Sequence, residues 1–260
     1  MRDAKINPRP RPVALVTGVG RSAGIGMAVA ERLAQDGYDV AASYWTLYDA
    51  RMAHGADEDI NNDLTTRLSA KGARSLSIEA DLEQLGTAEG LFDVVEGGLG
   101  PISALVMCHC ESVNSGILDT TVQSFDLHFA VNARATWLLI REFAVRYKGA
   151  PGRGRIIALT SDHTVGNLPY GASKGALDRI TIAAAQECAG LGITANVVNP
   201  GPTQTGWMTP ELEARIISET PLGRLGVPED SANLVSFLCS PEGGWINGQL
   251  LHSNGGLGSG

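Results

Sequence analysis

The chain is short of several things, and each shortage excludes a class of protein. Four cysteines (Cys108, Cys110, Cys188 and Cys239) among 260 residues fit no secreted disulfide framework. Bases are outnumbered, with 20 Lys and Arg against 28 Asp and Glu and a net charge of −8. Such a chain repels phosphate backbones, which argues against nucleic-acid binding while leaving room for a local basic pocket. No apolar run reaches the roughly 18 residues that a membrane span needs, so no membrane partner is expected. The stretch Met1–Pro12 has no apolar core of the kind a signal peptide carries, and the expected location is cytoplasmic. Neither a Pro/Ser linker nor a shift in composition nor an internal repeat divides the chain.

What is present is alternation. Short apolar runs stand at Val13–Thr17, Tyr38–Ser43, Ser75–Ala80, Ile102–Met107, Arg155–Thr160, Ile193–Val198 and Gln249–His252. Between them the apolar residues take helical spacing, at Met27–Gln35, Ile60–Ala70, Leu91–Val95, Phe125–Tyr147, Ala172–Ala189 and Asp230–Cys239. Strands that alternate with helices predict an α/β fold with a parallel sheet covered on both faces. The reading is one doubly wound Rossmann-type domain over residues 13–256, with seven strands in the order 3-2-1-4-5-6-7. Met1–Pro12 reads as a loose tail and Gly255–Gly260 as a flexible end. The long Pro-punctuated stretch from Pro200 to Pro228 predicts a functional loop. Within it, residues 203–222 are expected to form a substrate lid, with a short amphipathic helix at Glu211–Ser218 and Trp207 and Met208 over the substrate.

The run Thr17-Gly18-Val19-Gly20-Arg21-Ser22-Ala23-Gly24-Ile25-Gly26 joins the first strand to the first helix. Glycines let the backbone turn tightly and approach a diphosphate, and the amides at the helix N-terminus face its charge. Gly18, Arg21, Ser22, Gly24, Ile25 and Gly26 are therefore candidate cofactor contacts. An acid at the end of the second strand normally reads a ribose 2′-hydroxyl. Ser43-Tyr44-Trp45-Thr46 stands there instead, and Arg21 is available to a 2′-phosphate. NADP(H) is favoured, NAD(H) remains open, and Tyr44 and Trp45 join the cofactor candidates.

Tyr170 and Lys174 are four residues apart, a spacing that places them on one helical face. A phenol with a pKa near 10 is a poor acid–base at neutral pH, and a nearby ammonium favours its ionised form. Ser161 precedes the pair, with a hydroxyl able to hold a substrate oxygen. Asn132 lies where it can position a water relaying protons to Lys174. Alone, a Tyr-x-x-x-Lys pair usually marks a solvated helix face; its place after the fifth strand gives it meaning.

With these motifs the sequence resembles the short-chain dehydrogenase/reductase family, and within it the 3-oxoacyl-[acyl-carrier-protein] reductase branch. The likeness runs from Val13 to Gly256 and includes Asp81-Leu82, Asn199-Pro200-Gly201, Thr205, and the run Gly223 to Asp230. It implies that Tyr170 is the general acid, that Lys174 holds the nicotinamide ribose and lowers the tyrosine pKa, that Ser161 stabilises the carbonyl oxygen and that Asn132 completes a proton relay. Asp81 and Leu82 would contact adenine, and Pro200, Gly201, Thr203 and Thr205 would grip the nicotinamide end. The implied reaction is NADPH-dependent reduction of a ketone, foremost a 3-oxoacyl thioester. The family also implies a homotetramer or homodimer.

Three departures stand out. Gly18 and Gly24 are separated by five residues, two more than the family's usual spacing. The fourth strand ends Met107-Cys108-His109-Cys110, where the family carries Asn-Asn-Ala-Gly. Cys108 and His109 are thus expected beside the cofactor, His109 either lining the site or packing, and three ligands so close along a strand do not suit a metal. Only eight residues separate Ser161 from Tyr170, fewer than is usual, which opens one wall of the pocket and leaves His163 as a candidate substrate contact. Trp137 is expected in the core or a subunit interface, and Trp245 is expected to pack. Arg134, Arg141, Arg146 and Lys148 along one helix would be the landing patch if an acyl carrier protein docks. Two other functions compete: an alcohol dehydrogenase of specialised or sugar metabolism using NAD, and a nucleotide-binding regulator without catalysis.

Overall fold

The computed structural model describes residues 11–258. Residues 1–10, which hold most of the expected tail, and residues 259–260 lie outside the described residues. Seven parallel strands form one sheet: β1 (Val13–Thr17), β2 (Asp39–Tyr44), β3 (Ser75–Glu79), β4 (Ile102–Met107), β5 (Gly154–Leu159), β6 (Ile193–Asn199) and β7 (Leu250–His252). Their spatial order is β3-β2-β1-β4-β5-β6-β7, as expected of a doubly wound Rossmann-type domain. The central strands β1 and β5 are buried at every residue. A parallel sheet with helices on both faces buries its central strands in this way.

Helices α1 (Ile25–Gln35), α3 (Ile60–Ser69) and α9 (Pro228–Cys239) cover one face, burying Met27, Leu33, Leu64, Leu68 and Val235 against the sheet. Helices α4 (Thr87–Gly98), α6 (Ala135–Arg146) and α7 (Leu168–Glu187) cover the other, burying Phe92, Leu139, Phe143 and Leu177. Full burial of each such side chain contributes about 1.5–3 kcal/mol. Arg155 is also buried on β5, its guanidinium donating to the carbonyls of Gly152 (3.0 Å), Gly154 (3.0 Å) and Ser240 (3.2 Å).

Several elements differ from the expectation. The single helix predicted over Phe125–Tyr147 is α5 (Val122–His128), a π-helical turn (Phe129–Arg134) and α6. The π-turn inserts a step that swings Asn132 inward, a device common at functional sites. Helix α7 starts at Leu168, not Ala172, so Tyr170 sits within its first turn. Between β2 and α3 a helix not foreseen from the sequence, α2 (Thr46–Arg51), leads a connection of fifteen residues, 45–59. The lid region holds α8 (Pro210–Glu219), close to the expected helix. Trp245, expected to pack, is 97% exposed, because the 3-10 turn Glu242–Trp245 tucks Gly243 inward and turns the indole out. The described part of the glycine-rich end is a packed turn: Leu222 donates to Gly255 (3.3 Å), and Gly256 lies against Pro221.

Candidate active site

The turns that leave the C-terminal ends of β1 to β6 carry most of the expected site residues. At β1 the chain order reverses between β2 and β4, which opens the crevice where doubly wound sheets take their ligands. The glycine turn lines that crevice. Gly18 is left-handed (φ +76°), and a Cβ there would come within 2.6 Å of the Cys108 carbonyl carbon and the His109 Cα. Gly26 faces the Gly18 carbonyl just as closely, so the turn folds tightly under α1. No side chain caps the N-terminus of α1, and no acid stands in its first turn. Its first amides are therefore directed at an outside anion, which fits the diphosphate of a dinucleotide.

Arg21 does not stand free in the turn. Its guanidinium donates to the Thr205 carbonyl and so spans from the glycine turn to the Pro-rich loop. Across the crevice Thr203 is buried; its hydroxyl donates to the carbonyls of Pro200 (3.3 Å) and Gly201 (3.3 Å), and its backbone bridges Gly226. The Trp207 indole donates to the Thr203 carbonyl (3.2 Å) while half exposed, and Met208 is buried. Asp81 turns its carboxylate onto the Glu83 amide (2.9 Å), and Leu82 packs in the core.

Tyr170 and Lys174 share a face of α7, with the ammonium 5.8 Å from the phenol ring centre. Lys174 is buried and donates to the carbonyls of Leu159 (2.8 Å) and His109 (3.3 Å). Burial pulls its pKa down, while Cys110, Cys108 and Asp178 oppose the fall. The expected sharpening of the phenol is not what the geometry gives. Burial pushes the Tyr170 pKa above its ordinary value, Cys110 adds to the rise, and the Ser161 hydroxyl, hydrogen-bonded to it, offsets part. The phenol is thus held protonated beside Ser161. Ser161 Oγ also accepts from the amide of His163, whose side chain is exposed (3.2 Å).

Asn132 is buried and locked. Its Nδ2 donates to the Glu111 carbonyl (2.9 Å) and to Ser173 Oγ (2.8 Å), while its Oδ1 accepts from the Glu111 amide (2.8 Å). Both amide hydrogens are taken, so the side chain ties the turn after β4 to α7 and has no donor left for a water.

His109 is corrected from a group beside the cofactor to a structural one. Its Nε2 donates to the Val131 carbonyl (3.1 Å), which can only accept, so its Nδ1 accepts from the Thr17 hydroxyl (2.6 Å). The ring is neutral: burial and then the Lys174 charge lower its pKa to about 3. Because the unfolded state takes up the proton near the ordinary value of about 6.5, stability falls as pH drops from there toward 3. His109→Asn is expected to flatten this acid limb in urea titrations across that window; an unchanged slope would mean another group is responsible. Among the described residues no group of three or more His, Cys, Asp or Glu side chains converges on a metal position.

Beyond Trp45, the role of the connection 45–59 was not foreseen from the sequence. Asp49 is buried against Gly20, where a Cβ would run into its carboxylate. Asp57 accepts from the Ser22 amide (2.6 Å). The Tyr48 hydroxyl lies 3.9 Å from Cys110 Sγ, and Arg51 pairs with Glu111. This segment is seated on both walls of the crevice. Its unusual length was the available signal, since strand-to-helix connections in such folds are commonly about 2–6 residues.

A family model described as enoyl-(acyl carrier protein) reductase matches residues 18–258. The chain is 37% identical over 262 residues to the "NADPH-dependent aldehyde reductase-like protein, chloroplastic" of Arabidopsis thaliana, covering 94% of this chain and 93% of that one. It is 35% identical over 250 residues to the "Uncharacterized oxidoreductase YjdA" of Bacillus subtilis, covering 94% and 96%. Among solved structures, a blue fluorescent protein from a metagenomic library in complex with NADPH superposes with a TM-score of 0.83 at 31% identity, covering 95% of this chain and 98% of that one. A short-chain dehydrogenase/reductase from Serratia marcescens gives 0.84 at 28% identity, covering 95% and 97%.

Proposed function

Because the chain belongs to the short-chain dehydrogenase/reductase family, we propose that it reduces a carbonyl compound to an alcohol with NADPH. The observation that carries this reading is the placing of Tyr170 and Lys174 on one face of α7, the ammonium 5.8 Å from the phenol ring centre, with the Ser161 hydroxyl beside the phenol. A protonated phenol is equipped to give a proton to a carbonyl oxygen as charge develops there. Ser161 donates a second hydrogen bond to that oxygen, which stabilises the developing alkoxide. Lys174 places its charge beneath the tyrosine. Asn132 braces the turn after β4 against α7, so that Tyr170 and the crevice wall keep their spacing. The nicotinamide cofactor supplies the hydride when bound. The glycine turn and the uncapped N-terminus of α1 would hold its diphosphate, and Pro200–Thr205 its nicotinamide end.

NADPH is favoured by two relatives whose names include it and by the lack of an acid at the end of β2. Asp57, which comes near the turn, is already engaged by the Ser22 amide. The substrate is read as a free aldehyde or ketone rather than a carrier-bound 3-oxoacyl thioester. The basic stripe that a carrier would need is partly occupied: Arg146 pairs with Asp93 (2.6 Å), Glu96 (3.6 Å) and Glu142 (3.1 Å), and Arg134 donates to the Glu83 carbonyl. Residues 203–222 are proposed as the lid over that substrate. Trp137 and Trp245, 50% and 97% exposed, support assembly of copies into a dimer or tetramer. The test is oxidation of NADPH and, separately, NADH by the purified protein with a panel of aldehydes, ketones and an acetoacetyl thioester. Faster turnover of free carbonyls with NADPH is the expected result; firm NADPH binding without turnover on any of them would make the chain a nucleotide-binding regulator.

A further inference from the structure

Residues 45–59 lie outside the proton-transfer set, yet they carry a charged side chain to its support. We propose that Arg51, on α2, is a positioning residue of the proposed reductase site, acting through Glu111 on Asn132. This rests on the carbonyl-reductase reading of Tyr170 and its neighbours.

The chain of contacts is continuous. Arg51 pairs with the Glu111 carboxylate, which is 3% exposed. The other carboxylate oxygen, Oε1, is buried without a hydrogen-bond partner. Burial pushes the Glu111 pKa up, Arg51 counters, and Glu83, on the turn after β3, adds to the rise. Arg51 is thus the cation that keeps a buried charge tolerable. The peptide of the same Glu111 grips Asn132 twice, through its amide and its carbonyl. Asn132 in turn holds Ser173, whose hydroxyl donates to the Tyr170 carbonyl (2.8 Å). One ion pair therefore sets the loop that fixes the amide bracing the Tyr170 helix. Arg51 is itself steered by the Tyr48 ring, 5.2 Å below its guanidinium, and Tyr48 abuts Cys110. His128, on α5, faces Arg51 as a neutral ring, its Nδ1 donating to the Ser124 carbonyl (2.6 Å) and its Nε2 accepting from the Val113 amide (3.0 Å).

An isolated buried carboxylate is costly, so without Arg51 the Glu111 loop must either shift toward water or bind a proton. A small shift matters because proton donor and carbonyl oxygen must meet within hydrogen-bonding reach. The experiment compares wild type, Arg51→Met and the double variant Arg51→Met/Glu111→Gln in the NADPH assay, with hydrogen exchange of residues 109–113 in the cofactor-free protein. Arg51→Met is expected to lose on the order of 100-fold in kcat near neutral pH with KM little changed. The deficit should narrow toward acid pH, because protonation of Glu111 removes the stranded charge. Exchange at the Glu111 amide should rise in the single variant. The double variant, carrying no charge to strand, should recover both kcat and protection. Arg51→Met with wild-type kcat and protection, or a double variant no better than the single one, overturns the inference. Should Arg51→Met not fold, recovery of wild-type turnover by the double variant still supports it, and failure to recover counts against it. A wild type that reduces no carbonyl refutes the reductase reading, while the exchange comparison still decides the link from Arg51 to Asn132.

Discussion

Tyr170→Phe is expected to lower carbonyl turnover by about 10²–10⁴-fold, the range that a positioned general acid contributes. The substitution removes one oxygen and leaves the ring in place. The fold should hold, because the tyrosine's contribution to α7 is its backbone and its ring rather than its hydroxyl. NADPH affinity, followed by the fluorescence of the reduced nicotinamide, should change little. Loss of turnover with retained binding separates proton donation from cofactor capture. A variant that kept most of its activity would remove Tyr170 from the chemistry and leave Ser161 or a water as the acid.

Gly18→Ala should be the most damaging small substitution in the crevice. At φ +76° an alanine is strained, by roughly 1–2 kcal/mol for left-handed backbone. Its methyl would also meet the peptide between Cys108 and His109, a rigid neighbour at the end of β4. Overpacking of that kind typically costs about 1–3 kcal/mol. The two costs together predict a loss of about 2–5 kcal/mol in denaturant unfolding. Relief by movement of the turn would carry the α1 amides away from the diphosphate position, so NADPH affinity should fall as well. Stability and affinity both unchanged would show that the turn has more room than the contacts at Gly18 allow.

The strands and most helices were legible because most strands are runs of apolar residues closed by a turn, as parallel strands buried on both faces require, and the sheet order followed from the doubly wound fold. The same logic led to Tyr170, Lys174, Ser161 and Asn132, whose positions follow from their places after strands or along helices. What the sequence concealed was direction. Nothing in Cys108-His109-Cys110 says that the imidazole turns toward Thr17 and Val131; that follows from where the π-turn puts the Val131 carbonyl. Spacing placed Lys174 near Tyr170 but did not reveal that two backbone carbonyls hold the ammonium, or that burial raises the phenol pKa. Arg51 and Glu111 are sixty residues apart in sequence, and a pairing at that range carries no local periodicity. Trp245 shows the opposite failure: a large apolar side chain predicts burial on average, but the turn that carries it faces outward.

The enlarged glycine turn and the connection after β2 interlock, with Gly20 making room for Asp49 and the Ser22 amide held by Asp57. Neither half is transplantable. A chimera given only the longer turn would expose a bare amide and a hollow at Gly20, and one given only the connection would have no seat for its two acids. Redesign of nucleotide preference in this protein must therefore exchange both stretches as a single cassette, although α1 and β2 lie between them along the chain.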